Sequence, residues 1–207
     1  MLDLACGTGT LAILMARRSW KVLAIDASQG MLEKGIEKAR DCRTSVEFKQ
    51  ADMRSFVLPH KVSLVTCMFD AVNHLTSQSD VRRCFRRVRK ALEPGGYFIF
   101  DVNNEECYQT VWRQTEVTHE RNFSIILENR FDSGSREAEC RVTLYLQKGS
   151  VFEKRKEKVR ERYYAQEEIK KLLADVGFQV LGSDDFNFTR NPMVGRLKTW
   201  WVARITG

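Results

Sequence analysis

Four short apolar runs mark the first half of the chain: LDLAC at 2–6, VLAID at 22–26, VSLVTC at 62–67 and GYFIFD at 96–101. A further strand is predicted from Ser45 to Lys49. Helical patterns separate these runs, over 10–18, over 30–40, and where Val81, Cys84, Phe85, Val88 and Leu92 recur at intervals of three and four. Strands alternating with helices form parallel βαβ units, with helices covering both sheet faces. Their crossovers are right-handed, so the expectation is an α/β, doubly wound sheet.

The period then changes from about four to two. Phe123, Ile125, Leu127 and Phe131 alternate with Ser124, Glu128 and Arg130, and an Asp-Ser-Gly-Ser turn follows at 132–135. Cys140, Val142, Leu144 and Leu146 alternate with polar neighbours, Lys148-Gly149-Ser150 turns the chain again, and a charged strand comes next. This pattern predicts a three-stranded antiparallel β cap with one apolar face. It places a cap over 102–163, inserted into a core made of 1–101 and 164–207. Residues 165–176 predict an amphipathic helix with Gly177 as its C-cap. Two closing strands, FQVLGSDDF and KTWWVARI, flank a loop holding Asn191, Pro192 and Gly195. Joined in this way, they are expected to run antiparallel.

With 43% apolar residues, the 207-residue chain has enough hydrophobic surface for an ordinary globular core, which excludes a disordered chain. No run approaches the length of a membrane span. The six cysteines form no C-x-x-C pair and the three histidines fall in no ligand-like spacing, so no metal site is expected. Reduced thiols and a cytoplasmic location are the matching expectations.

The candidate chemistry begins at Asp3-Leu4-Ala5-Cys6-Gly7-Thr8-Gly9-Thr10, where a strand ends, glycines permit a tight turn and a helix starts. Gly7-x-Gly9-x-x-Ala12 also fits a dinucleotide fingerprint. Asp26 closes the second strand, where a carboxylate can accept hydrogen bonds from both hydroxyls of a ribose. Asp52, in QADM at 50–53, follows the third strand, where it could take a hydrogen bond from an exocyclic amine, with Met53 against a purine face. Three acids at successive strand ends lie along the edge where open α/β sheets bind ligands.

Together with TCMFDAVNHL (66–75), LEPGGYFIFDVN (92–103) and the two closing strands, these motifs resemble the class I S-adenosylmethionine-dependent methyltransferases over nearly the whole chain. The resemblance implies a Rossmann-like seven-stranded sheet with a reversed last strand. The implied cofactor is S-adenosyl-L-methionine and the product S-adenosyl-L-homocysteine. By resemblance, Asp3, Ala5 and Gly7 surround the methionine moiety, and Thr8 and Gly9 shape the loop. Asp26 holds the ribose, while Ala27, Met31, Asp52 and Met53 lie at the adenine. Cys67, Met68 and Phe69 approach the sulfonium. Ala5 stands where many relatives have Gly. The cap is similar to those of amino-sugar N,N-dimethyltransferases and glycine N-methyltransferase. Family members usually carry helices before the first strand, which lid the cofactor, and this chain begins at the strand itself.

His74, Asp70 and Asn73, just past the fourth strand, are the catalytic candidates. His74 is open to acid–base and structural readings, and Asp70 and Asn73 could touch the acceptor. Tyr108 and Trp112, four residues apart, either line the acceptor pocket or pack together. The net charge of +7 has two concentrations: the third helix, and one face of a strand over 152–164 carrying Lys154, Lys156, Lys158, Arg160 and Arg162. That face could attract an acidic or phosphorylated acceptor or a nucleic acid, or its cations could pair with acids on a neighbouring strand. The expected reaction is in-line methyl transfer to a small molecule, at nitrogen or alternatively oxygen. RNA or protein methylation and an inactive cofactor-binding remnant are the competing readings. The cap makes a homodimer plausible.

Overall fold

The computed structural model describes residues 1–184 and 196–205, so the loop residues Asn191, Pro192 and Gly195 lie outside the described residues. The chain begins with β1 (Leu2–Leu4), α1 (Thr10–Ala16), β2 (Leu23–Asp26), α2 (Gln29–Asp41), β3 (Glu47–Gln50) and β4 (Val62–Cys67). A 3-10 turn (Ala71–His74), α3 (Gln78–Ala91) and β5 (Leu92–Asn103) follow. α5 (Gln166–Val176), β10 (Phe178–Asp184) and β11 (Lys198–Ile205) complete the core. These strands form one sheet in the order β10-β11-β5-β4-β1-β2-β3. β11 pairs antiparallel with both β5 and β10, and the other pairs are parallel. The sheet is the expected doubly wound one with its reversed strand.

Helix ends follow from local chemistry. Ser28 and Ser77 accept hydrogen bonds from the Met31 and Asp80 amides and so cap α2 and α3. Gly177, at φ 87°, closes α5 in the left-handed conformation. α3 and α5 cover one sheet face, burying Val81, Phe85, Val88, Ile169 and Leu172 against Phe98, Phe100 and Trp201. Phe98 stacks on Phe100 with ring centroids 4.6 Å apart, and Phe100 lies nearly parallel to Trp201 at 6.1 Å. The opposite face has a smaller core, in which Ala12 of α1 meets Val22 and Ala24.

Between β5 and α5 lies a second, antiparallel sheet. It is preceded by α4 (Glu105–Thr110) and a 3-10 turn (Val111–Arg113). Its strands are β6 (Thr115–His119), β7 (Phe123–Asp132), β8 (Glu137–Lys148) and β9 (Val151–Arg162), in that order. The three strands expected from alternation are β7, β8 and β9; β6 adds a fourth at the edge. All five β6 residues are exposed, so it has no apolar face to impose an alternating pattern. The apolar face of the cap packs on α4, where Tyr108 and Trp112 meet Ala138, Cys140 and Phe131.

Much of the charge on β9 is paired. Glu139 on β8 contacts Lys158 at 3.0 Å, Arg160 at 3.6 Å and Arg141 at 3.1 Å. Lys154 lies over the Tyr145 ring. All six cysteines are free thiols. Among the described residues, no helix is long and apolar enough to cross a membrane.

The central aromatic stack makes a direct stability prediction. Phe100→Ala should lower the unfolding free energy by about 3–5 kcal/mol, the usual range for emptying a buried aromatic site. Urea denaturation of the two proteins checks it.

Candidate active site

The loop after β1 turns through three residues in the left-handed region, Ala5 at φ 55°, Gly7 at 55° and Gly9 at 68°. Gly9 is forced twice over, because a Cβ there would also lie 2.7 Å from the Phe48 ring. Ala5 adopts a conformation that disfavours any side chain by about 1–2 kcal/mol. Asp26 at the end of β2 ties this loop to the next. Its Oδ2 accepts from the Gly7 amide and its Oδ1 from the Ser28 amide, both at 2.8 Å. An ionised carboxylate has about four acceptor positions, so two remain for ligand hydroxyls.

A cleft of about 360 Å³ opens beside this loop, lined by Ala5, Asp26, Ala27, Asp52, Met53 and His74. That volume lies within the usual range for cofactor and small-molecule sites. Space is open at the Cβ position of Gly7. The cleft thus has the size and the free acceptor positions that an adenosine would need. The Asp52 carboxylate is engaged by Arg54, which also reaches Asp80 at 3.3 Å. Thr8 accepts from Lys38 at 3.0 Å. Met31 is exposed on α2 and does not line the cleft.

Asp3 and Cys67 are buried. Asp3 accepts from the Thr66 hydroxyl at 2.8 Å, and burial pushes its carboxyl up to about 6. The Cys67 side chain lies wholly within the main core, where burial raises its thiol well above the usual value. Met68 is half-buried, and Phe69 is 76% exposed at the mouth of the fold.

Beyond β4 the backbone takes an unusual course, with Phe69 at φ 60° and Asp70 at 52°. Asp101 of β5, 1% exposed, holds both. Its carboxylate accepts from the Phe69 amide at 2.5 Å, the Asp70 amide at 2.9 Å and Lys198 Nζ at 2.8 Å. Lys198 also pairs with Asp70. This turn aims the Ala71–His74 segment at the cap. Asn73 is fully buried with both ends of its amide engaged: Oδ1 accepts from the Asn103 amide, and Nδ2 donates to the Arg162 carbonyl, each at 2.9 Å. That makes Asn73 a tie between core and cap. His74 stays accessible, 3.8 Å from Glu161 Oε1.

Glu161 of β9, Asp101 and Lys198 were not singled out from the sequence. Asp101 gave a faint signal as the acid that ends an apolar run. Glu161 falls in alternation with Val159 and pairs across the strands with Ala138, so it occupies an inward register position. Burial, and then the Asp70 charge, push its carboxyl up to about 8. Tyr108 donates its hydroxyl to Glu161 at 2.8 Å and packs 5.8 Å from Trp112; fully buried, it lines neither cleft and fills the packing role of the two considered for it.

A doubly wound sheet with its reversed strand, a Gly-rich turn after β1 and a cleft-facing acid on β2 make up a fold shared with solved methyltransferases. The chain is an S-adenosyl-L-methionine-dependent methyltransferase, and its residues 1–96 match the methyltransferase domain family. The Bacillus subtilis (strain 168) protein YqeM, named as a methyltransferase, is 28% identical over 182 residues, covering 87% of this chain and 73% of its own. A dTDP-3-amino-3,4,6-trideoxy-alpha-D-glucopyranose N,N-dimethyltransferase of Streptomyces venezuelae is 30% identical over 101 residues, 49% of this chain and 41% of that protein. The fold is similar to that of an S-adenosylmethionine-dependent methyltransferase from Clostridium acetobutylicum ATCC 824. The TM-score is 0.87 at 24% identity, covering 100% of this chain and 83% of that one.

Two stability measurements test the geometry. Ala5→Gly relieves the left-handed strain at some cost in chain entropy, so it should raise the unfolding free energy by about 0.5–1 kcal/mol in urea denaturation. The raised Glu161 carboxyl favours its protonated form in the folded protein. Its contribution is therefore complete below its ordinary value of 4.5 and is lost as the pH rises through about 8. Unfolding free energies compared at acidic and mildly alkaline pH should fall less steeply for Glu161→Gln than for wild type.

Proposed function

We propose that the protein transfers a methyl group to the nitrogen of a small-molecule amine. The observation that carries this reading is the acid-rich junction beyond β4, where Asp70, His74 and Glu161 converge beside the cofactor cleft. S-adenosyl-L-methionine supplies the methyl already activated as a sulfonium, so the protein's task is alignment and exclusion of water. Asp26 orients the nucleoside, and the turn held by Asp101 positions the groups that meet the acceptor.

A second cleft, of about 410 Å³, lies under the cap and is lined by residues including Thr76, Arg130, Glu139, Lys158, Arg160 and Glu161. Thr76 also lines the cofactor cleft, so the two adjoin. Basic and acidic side chains balance around it, which suits a polar acceptor carrying an amine better than a polyanion. The likeness to an amino-sugar N,N-dimethyltransferase over the first half of the chain supports the same acceptor class.

Cofactor binding and acceptor choice are tested separately. At a hundredfold excess over Kd, S-adenosylmethionine should stabilise the protein by about 2.7 kcal/mol. For a chain of this size that is a rise in Tm of roughly 5–10 °C. Asp26→Ala should abolish the rise. Incubation with amino sugars and other primary amines should release S-adenosylhomocysteine, whereas matched alcohols should not. Turnover of the alcohols alone would overturn the nitrogen reading.

A further inference from the structure

Glu161 reaches the junction from the cap and is 3% exposed, yet it lines the cap-side cleft. One of its oxygens is committed: Oε2 accepts from the Tyr108 hydroxyl at 2.8 Å and from Asn103 Nδ2 at 2.9 Å. The other, Oε1, lies 3.8 Å from His74 Nε2. The acceptor atoms of Asp70, His74 and Glu161 fall within 4.8 Å of one another. Two carboxylates this close repel unless a proton or a cation stands between them.

The groups facing Glu161 leave that demand open. Cys107 and Tyr108 on α4 are both held neutral by burial. Asp101 on β5 adds negative charge, and it shares Lys198 of β11 with Asp70. On the cap, Arg160 is turned to Glu139. A proton on Glu161 would meet the demand, in keeping with the upward push that burial and the Asp70 charge give its carboxyl. An alkylammonium group brings three N–H donors, and three acceptor atoms converge here from two elements.

We infer that Glu161, with Asp70 beside it, is the subsite for the acceptor's ammonium group, and that Glu161 Oε1 takes the proton the amine must lose. This deepens, and rests on, the amine reading above. Arrival of the ammonium releases the resident proton of Glu161 to solvent. The ammonium then gives one proton to the freed carboxylate. The exposed lone pair forms the new N–C bond as the C–S bond breaks, and sulfur keeps that electron pair as a neutral thioether.

Sinefungin tests this without a known acceptor, because it carries a primary amine in place of the sulfonium methyl. Calorimetry at pH 7, in two buffers of different ionisation enthalpy, compares it with S-adenosylhomocysteine. Wild type should bind sinefungin at least about tenfold more tightly, a difference of about 1.4 kcal/mol, and should release up to one proton. Glu161→Gln should keep its S-adenosylhomocysteine affinity, lose the preference and release no proton, while Glu161→Asp should restore part of both. A purely structural role would leave preference and proton release unchanged in Glu161→Gln, and that result would overturn the inference. So would Mn²⁺ binding to wild type that Glu161→Gln abolishes, since it would make the cation a metal. If Glu161→Gln does not fold, Asp70→Asn should show the same loss of preference, and an unchanged preference there would sink the idea. Failure of the amine reading shows separately, in the acceptor panel. Wild type that bound neither nucleoside would overturn both.

Discussion

The active end of the molecule depends on one buried carboxylate. Asp101 gathers two consecutive backbone amides and a lysine at the ends of three strands. Without it, Phe69 and Asp70 would have no reason to hold left-handed backbone angles, which cost about 1–3 kcal/mol each when unsupported. The turn they make places Asn73 and His74. Those residues in turn meet the last turn of the cap strand. Lys198 balances the buried charge and ties the reversed strand β11 into the same knot. The reversed strand therefore has a chemical role as well as a topological one.

The cofactor side rests on a parallel arrangement. Asp26 receives the amides of Gly7 and Ser28 and thereby fixes two loops against each other before any ligand arrives. Preorganisation of this kind reduces what a ligand must order on binding. Both halves of the site use an acid at a strand's carboxyl end to hold backbone amides. This is how an open α/β sheet makes a precise edge out of flexible connections.

The legible parts of the sequence were those in which one residue decides its own surroundings. The strand runs, the glycine turn and the capped helices all carry local signals, and the seven-stranded sheet with its reversed strand was implied by the family resemblance those motifs carry. β6 was not legible, because five exposed residues impose no period. Asp101, Glu161 and Lys198 were hidden for a different reason. Each acquires its meaning from partners far away in sequence: Phe69 for Asp101, Asp70 for Lys198, and Tyr108 with Asn103 for Glu161. Asn73 was visible as a polar residue near the site. Its position at the neck of the insertion depended on Arg162, which nothing nearby announces.

That neck has an evolutionary consequence. Asn73 holds the Asn103 amide, where the chain leaves the core, and the Arg162 carbonyl, where it returns. Asn73 thus clasps the two chain ends through which the insertion joins the core. Lengthening a loop already closed in this way costs little, about 0.6 kcal/mol per doubling. The inserted sheet can therefore be extended, or another put in its place, at little cost to the closure that holds it. Changes in the insertion are thereby largely uncoupled from the sheet it interrupts.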